Sequence, residues 1–270
     1  MDKGTVAGIA VSFGGITAGL LLEGGKLSQI LQPTAALIVA GGTIGAVLLQ
    51  FPLATVLTAV RDLGIVLFEP RSRASDEINR LTRLAQKARR DGIISLDAEL
   101  PNIPDPFMRR ALMLAVDGTE SGELRAIMQL ELDASAEAED ELPRVYEAAG
   151  GFAPTIGIIG AVLGLIQVMQ HLDKIEEVGR GIAVAFVATI YGVGFANLAA
   201  LPIAGKLRHR LRNQQILREL TLEGVISILE GINPRMLEAK LNGFLQRASE
   251  KHDSYSQAGD ESQNSAQTPQ

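Results

Sequence analysis

The sequence predicts an all-α integral membrane protein with four transmembrane helices and a helical cytoplasmic domain inserted between spans 2 and 3. Three observations predict it. Hydrophobic residues make up 47% of the 270 residues and charged residues only 21%. Mean hydropathy is +0.19, high for a soluble chain. The apolar residues are also gathered into long blocks: Gly4–Leu22, Leu27–Val60, Ala148–Leu172 and Gly181–Gly205 contain no Asp, Glu, Lys or Arg. A helix needs about 20 apolar residues to cross roughly 30 Å of hydrocarbon, and each block supplies them. The expected spans are Thr5–Leu22, Thr34–Val56, Phe152–Met169 and Ile182–Ile203.

The first block is not expected to be a cleaved leader. Met1–Gly4 has no net positive charge, and no small-residue cleavage pattern follows Leu20–Leu22. Basic residues set the expected orientation. The loops after spans 1 and 3 are short, holding Lys26 in one and Lys174 and Arg180 in the other. Span 2 is followed by Arg61, Arg71 and Arg73, and span 4 by Lys206, Arg208, Arg210 and Arg212. Both termini and the long loop are therefore expected in the cytoplasm. The expected division is 1–60 for spans 1 and 2, 61–149 for the cytoplasmic helical loop, 150–205 for spans 3 and 4, 206–248 for C-terminal cytoplasmic helices and 249–270 for a disordered tail.

Inside the long loop, Ser75 is placed as an N-cap with Asp76 and Glu77 in the first turn, where the helix dipole favours acids. Ile78, Leu81, Leu84 and Ala85 recur at helical spacing, and Gly92 ends that helix. Pro101, Pro104 and Pro106 mark an irregular link. Phe107–Val116 and Glu123–Leu142 read as helices, the second continuing toward span 3 with an interruption near Gly150–Gly151. Glu219–Leu229 and Pro234–Leu245 read as helical too. Charge in this loop is lopsided: Arg61–Arg90 holds eight basic and four acidic residues, Asp117–Glu147 two basic and ten acidic. Solvated helix faces explain this, and so does an electrostatic docking surface.

Several chemistries are disfavoured. There is no cysteine, and the three histidines (His171, His209, His252) are far apart, so neither a metal site nor a cofactor is expected and the chain does not read as an enzyme. A net charge of −6 argues against nucleic acid as a partner. No expected span carries a carboxylate, Lys, Arg or His. Ion carriers need an intramembrane ionisable group, and Thr155, Thr189 and Tyr191 offer only hydroxyls, which do not hold a proton reversibly near neutral pH. If this chain conducts ions, the carrier acid comes from another chain.

Small residues recur four apart: Gly15 and Gly19, Gly41 and Gly45, Gly42 and Ala46, Gly157 and Ala161, Gly160 and Gly164. Such spacing lets helix backbones approach closely, within one protomer or between copies. Pro154 and Pro202 interrupt spans 3 and 4, either as helix-end markers or as hinges.

Four segments carry a resemblance: AGGTIGAVLLQFP at 40–52, ARRDGIISLD at 88–97, FAPTIGIIGAVLGLIQV at 152–168 and GIAVAFVATIYGVGFANL at 181–198. In this order and spacing they closely resemble the MotA family of flagellar motor stator subunits, over about residues 1–245. The resemblance implies a ring of this chain, five copies, in the bacterial inner membrane around a MotB-like subunit that supplies a transmembrane Asp and a peptidoglycan anchor. It implies that ion flow between the subunits drives the ring against the rotor protein FliG. Carried over position by position, it implies rotor contacts at Arg89, Arg90 and Asp97, with Glu99 as a substitute because Asp97 stands where the family usually has Glu. It implies an ion path and coupling elements at Pro154, Ala161, Thr189, Tyr191 and Pro202. Sodium-driven relatives carry Thr where this chain has Ala161, so the resemblance implies proton drive. One charge crossing about 100 mV releases roughly 2.3 kcal/mol, enough to bias a hinge. The competing expectations are an ExbB/TolQ-like proton-driven energiser, which would have three spans, a solute transporter, and a non-conducting membrane scaffold.

Overall fold

The computed structural model describes residues 3–64 and 74–247, and the expected tail at 249–270 lies outside them. All regular structure among the described residues is helical. Four helices are long and apolar enough to cross a membrane. The chain divides into two compact units, Met1–Pro70 with Glu137–Leu211, and Arg71–Ala136 with Arg212–Gln270.

The first unit holds the apolar helices. Helix α1 is Lys3–Leu22. Helix α2, Pro33–Gln50, starts on a proline at its first position, where the missing N–H costs nothing. Its stripe Ala35, Val39, Thr43, Val47 is buried. The expected second span to Val56 is broken: Phe51 is extended, Pro52 follows, and a separate helix α3 runs Leu53–Arg61. Proline disfavours helical backbone at the residue before it, which is why the break falls at Phe51.

Helix α6, Ser121–Gln170, is a single helix of 50 residues. The interruption expected near Gly150–Gly151 does not occur. Gly150 instead admits Leu201: a Cβ there would lie 2.8 Å from the Leu201 side chain. Helix α7, Ile175–Phe195, passes through a π-turn at Ala196–Ala200 into α8, Leu201–Leu229. The Leu201 N–H donates to the carbonyl of Ala196, five residues back. Near this turn Val47, Ala59, Leu142, Val145, Ala149, Ala200, Leu207 and Leu211 form an apolar cluster.

The second unit packs by side-chain volume. Helix α4, Ala74–Asp91, is followed by a 3-10 segment, Ile93–Asn102, and α5, Pro106–Val116. Ser75 lies inside α4 and not at its N-cap. Gly92 turns the chain out with φ +86, where a side chain would be strained. Asp105 caps α5, accepting from the Phe107 N–H at 2.9 Å. Helix α8 ends at Gly231, φ +73, with the paired bonds Gly231 N–H to Ile228 O and Ile232 N–H to Ser227 O, the six-to-one and five-to-two pattern of a Schellman close. Helix α9 covers the described residues 234–247. Leu81, Leu96, Met108, Leu112, Leu124, Met128, Leu220, Ile226, Leu237 and Leu241 share one core. Segments before and after the apolar helices thus close a single core.

Candidate functional site

In the first unit the candidate site is the pair α6–α7. Their seam is built from small residues. A Cβ on Gly157 would lie 2.9 Å from the Ala188 carbonyl and 3.4 Å from the Cα atoms of Thr189 and Gly192. A Cβ on Gly160 would meet the Ala188 Cβ at 2.8 Å, and one on Gly164 the Gly181 carbonyl at the same distance. From the other side, Gly192 abuts the Ala153 carbonyl. Backbones in such contact gain dispersion and weak C–H···O bonds where lipid gives no hydrophobic drive. Gly42 on α2 receives the Ile156 side chain. By contrast Gly15, Gly19, Gly41 and Gly45 have nothing within 4 Å in this chain. The periodicity alone did not separate these two sets.

Pro154 and Pro202 do not mark helix ends. Pro154 lies deep inside α6, and Pro202 is the second residue of α8 in a helical run from Ile175 to Leu229. Each lacks the N–H that would reach the carbonyl four residues back, Gly150 and Leu198. Beside Pro202 the π-turn takes up the misfit, as a five-residue step does wherever a helix ladder is interrupted. That turn left no signature in the sequence beyond the proline itself.

Ala161 lies on α6 seven residues from Pro154, so both share one helix face. The Thr189 hydroxyl donates to the Ala185 carbonyl of its own helix at 3.3 Å, and its Cα touches the Gly157 position. Tyr191 is engaged elsewhere. Its hydroxyl donates to the Ile30 carbonyl at 2.6 Å and accepts from the Gln32 N–H at 3.3 Å. It ties α7 to the turn that starts α2. Thr155 is exposed, its hydroxyl donating to Phe152 O at 2.8 Å. Within Gly4–Leu22, Pro33–Gln50, 148–170 and 181–205 there is no carboxylate, Lys, Arg or His.

In the second unit the four charged residues singled out cluster around the C-terminal end of α4. Arg89 and Asp97 are exposed and have no ion-pair partner among the described residues. Arg90 is held by its neighbour: Nε and Nη2 donate to the two Asp91 oxygens at 2.9 and 2.8 Å. The Arg90 hydrogen bond holds the Asp91 carboxyl below its usual range. Glu99 pairs with Lys87 at 2.5 Å, which pins the 3-10 segment to α4. The structure thus leaves Arg89 and Asp97 presented and commits Arg90 and Glu99 within the chain. Two basic residues in the last turn of α4 also complement the helix dipole.

The sequence marked Glu77 only as a first-turn acid and did not foresee its burial. It is buried in α4, its Oε1 lacks a hydrogen-bond partner, and burial pushes its carboxyl above the usual range, against the opposing pull of Arg80. No group of three or more metal-ligating side chains exists among the described residues.

A helix pair packed through glycines, with no carboxylate, Lys, Arg or His across its apolar stretches and continued into a charged helical unit, marks a membrane protein whose spans supply no acid of their own. Residues 99–220 match the MotA/TolQ/ExbB proton channel family, and residues 6–92 match the N-terminal region of Motility protein A. Motility protein A of Bacillus subtilis is 36% identical over 91% of each chain. Chemotaxis protein PomA of Vibrio alginolyticus is 30% identical over 91% of this chain and 96% of its own. Among solved structures, the flagellar MotAB stator complex of B. subtilis gives a TM-score of 0.81 at 36% identity, over 89% of this chain and 94% of that one. The structure of C. jejuni MotAB gives 0.86 at 30% identity, over 90% and 96%. The chain belongs to the Motility protein A family.

Proposed function

We propose that this chain is a stator subunit of the bacterial flagellar motor, embedded in the inner membrane, that works with a MotB-like partner to turn ion flow into torque. The observation that carries this reading is the absence of any carboxylate, Lys, Arg or His along the stretches Gly4–Leu22, Pro33–Gln50, 148–170 and 181–205. A proton-driven device needs a group that titrates inside the membrane, so the acid belongs to the partner, a transmembrane Asp. Several copies of this chain, five in a ring, surround that partner. The solved MotAB complexes that the chain resembles support the pairing.

In this reading Thr189, Ala161 and Pro154 face the ion path, and Pro202 with its π-turn is the place where α7–α8 flexes. Ala161 supplies no oxygen ligand, which favours a proton over sodium as the driving ion. Both termini and the second unit lie in the cytoplasm, where Arg89 and Asp97 meet charges of opposite sign on the rotor protein FliG. Arg90 and Glu99 hold that surface in shape through Asp91 and Lys87.

The test is motor speed in a stator-deletion strain complemented with this chain and its partner, varying the proton and sodium gradients separately. Speed is expected to follow the proton gradient. Speed that follows sodium alone rejects proton drive, and no rotation under either gradient rejects the stator reading. In the same strain Arg89→Glu or Asp97→Lys is expected to abolish swimming while membrane assembly persists. Full swimming by both would reject the rotor contact.

A further inference from the structure

Helix α1 touches the other apolar helices sparingly. None of its apolar window is buried, and its glycines Gly8, Gly14, Gly15 and Gly19 have nothing within 4 Å. Between α1 and its neighbours lie two grooves. One, of about 540 Å³, runs between Phe13, Ile16 and Thr17 of α1, Ala40 and Ile44 of α2, and α7. The other, of about 450 Å³, runs between Thr5, Gly8 and Ser12 of α1 and the π-turn with Pro202 and Lys206. They share Phe13, Leu198 and Ala199, so they adjoin end to end along α1 and together make a channel for an extended chain that passes those three residues. From Gly4 to Thr17 that channel extends about 20 Å at 1.5 Å per residue. One leaflet is about 15 Å deep, half of a ~30 Å core.

The channel has a polar end and an apolar end. Among the described residues Lys206 is the one charged side chain lining either groove. It stands beside Thr5, to whose hydroxyl its ammonium donates at 2.5 Å. The far end, around Ile16, Val39, Ile44 and Ile190, is aliphatic. An apolar slot of leaflet depth with one cation at its mouth matches an amphiphile with a long hydrocarbon tail and an anionic head. Basic positions at the membrane edge between helices recognise such head groups.

We propose that this channel is a binding site for an anionic phospholipid, with an acyl chain lying along α1 and the head-group phosphate at Lys206 and Thr5. The tail then covers Leu198, Ala199 and Pro202, so the bound lipid forms one wall of the π-turn. The site requires only that the four apolar helices lie in a bilayer, and it does not depend on which ion drives the motor or on what the cytoplasmic unit touches.

The test is native mass spectrometry of the full chain, purified with its partner subunit in mild detergent and titrated with phosphatidylglycerol or phosphatidylcholine. Phosphatidylglycerol is expected to be retained in preference. Lys206→Gln, which keeps a donor for Thr5, is expected to lower that preference about fivefold, the factor that one basic residue near an anionic surface contributes. Arg61→Gln, an exposed residue of α3 outside the channel, is expected to leave it unchanged. Ala199→Phe is expected to reduce retention of both lipids by filling the slot. If that variant does not assemble, Ala40→Phe fills it from α2. An unaltered preference in Lys206→Gln, or an equal loss in Arg61→Gln, overturns the head-group assignment. Undiminished retention in the filled variants overturns the site. A photoreactive residue in place of Phe13 that crosslinks in high yield to a second copy of the chain instead of to lipid would show that protein fills the channel and would likewise overturn it.

Discussion

The two units of this molecule pack helices by opposite means. In the first, α6 and α7 meet through Gly157, Gly160, Gly164, Gly181 and Gly192, and backbone touches backbone. In the second, Leu81, Leu112, Leu124, Met128, Leu220 and Ile226 fill the core with side chains that are almost wholly buried. Even a glycine there serves a large side chain: a Cβ on Gly224 would strike Leu81. Burying aliphatic surface in water gains about 25 cal/mol per Å². Lipid offers no such gain, so close approach and dispersion must hold the helices. The residue type at a helix contact therefore reports the solvent in which that contact formed.

This contrast is open to attack by substitution, and the largest effect is expected where volume is removed from the second unit. Leu112→Ala should cost about 2–5 kcal/mol through lost burial and the cavity left behind, read as a lower denaturation midpoint of the cytoplasmic helices. A smaller effect, about 1–3 kcal/mol, is expected when volume is added to the first unit's seam. Gly192→Ala presses a methyl against the Ala153 carbonyl, and the yield of intact complex in detergent should fall. If Gly192→Ala is silent, the α6–α7 contact is looser than its geometry and the contrast fails.

Next comes Glu77→Gln. Burial raises the Glu77 carboxyl, with Asp105 and Asp76 adding to the rise and Arg80 and the Thr221 hydrogen bond opposing it. An acid whose folded pKa is raised binds more protons folded than unfolded. Stability therefore declines as pH rises from the unfolded value through the folded one, and the penalty is fully present above that window. Glu77→Gln should raise the melting temperature at neutral pH and flatten its decline with pH. An unchanged profile would mean Arg80 compensates the buried charge. The smallest effect is expected at Gly15→Ala, within about 0.5 kcal/mol, because nothing lies near that position in the chain. A large loss of assembled complex there would reveal a neighbouring helix packed on α1.

Much of this architecture was legible in the residue pattern, and apart from Ser75, which lies inside α4 and does not cap it, the exceptions share a cause. Charge-free length announced the four apolar helices because lipid excludes charge along its whole depth. The end of α4 followed from Gly92, whereas the caps at Asp105 and Gly231 emerged only from the structure. The other failures were inferences from glycine and proline inside apolar helices. Gly150–Gly151 looked like a break and is a contact for Leu201. Pro154 and Pro202 admitted a reading as helix ends, yet both are interior. Phe51–Pro52 did break a span that had looked continuous. These residues are punctuation in water, but within apolar helices packed on neighbours they also serve close approach and flexing, and only the neighbours decide which. Tyr191 shows the same limit at the site. Its hydroxyl is committed to Ile30 and Gln32, which lie far away in sequence.

At the candidate rotor surface, one-dimensional charge counting grouped Arg89, Arg90, Asp97 and Glu99. Geometry separates them into two presented and two engaged in the chain's own ion pairs.

The most direct test of the central claim is proton flux into vesicles carrying this chain alone, this chain with an unplugged partner, and the same pair with the partner's transmembrane Asp changed to Asn. Flux is expected only in the second case, since the apolar stretches of this chain hold no carboxylate, Lys, Arg or His. Proton flux through the chain alone, or flux that survives neutralisation of the partner's acid, would contradict the account.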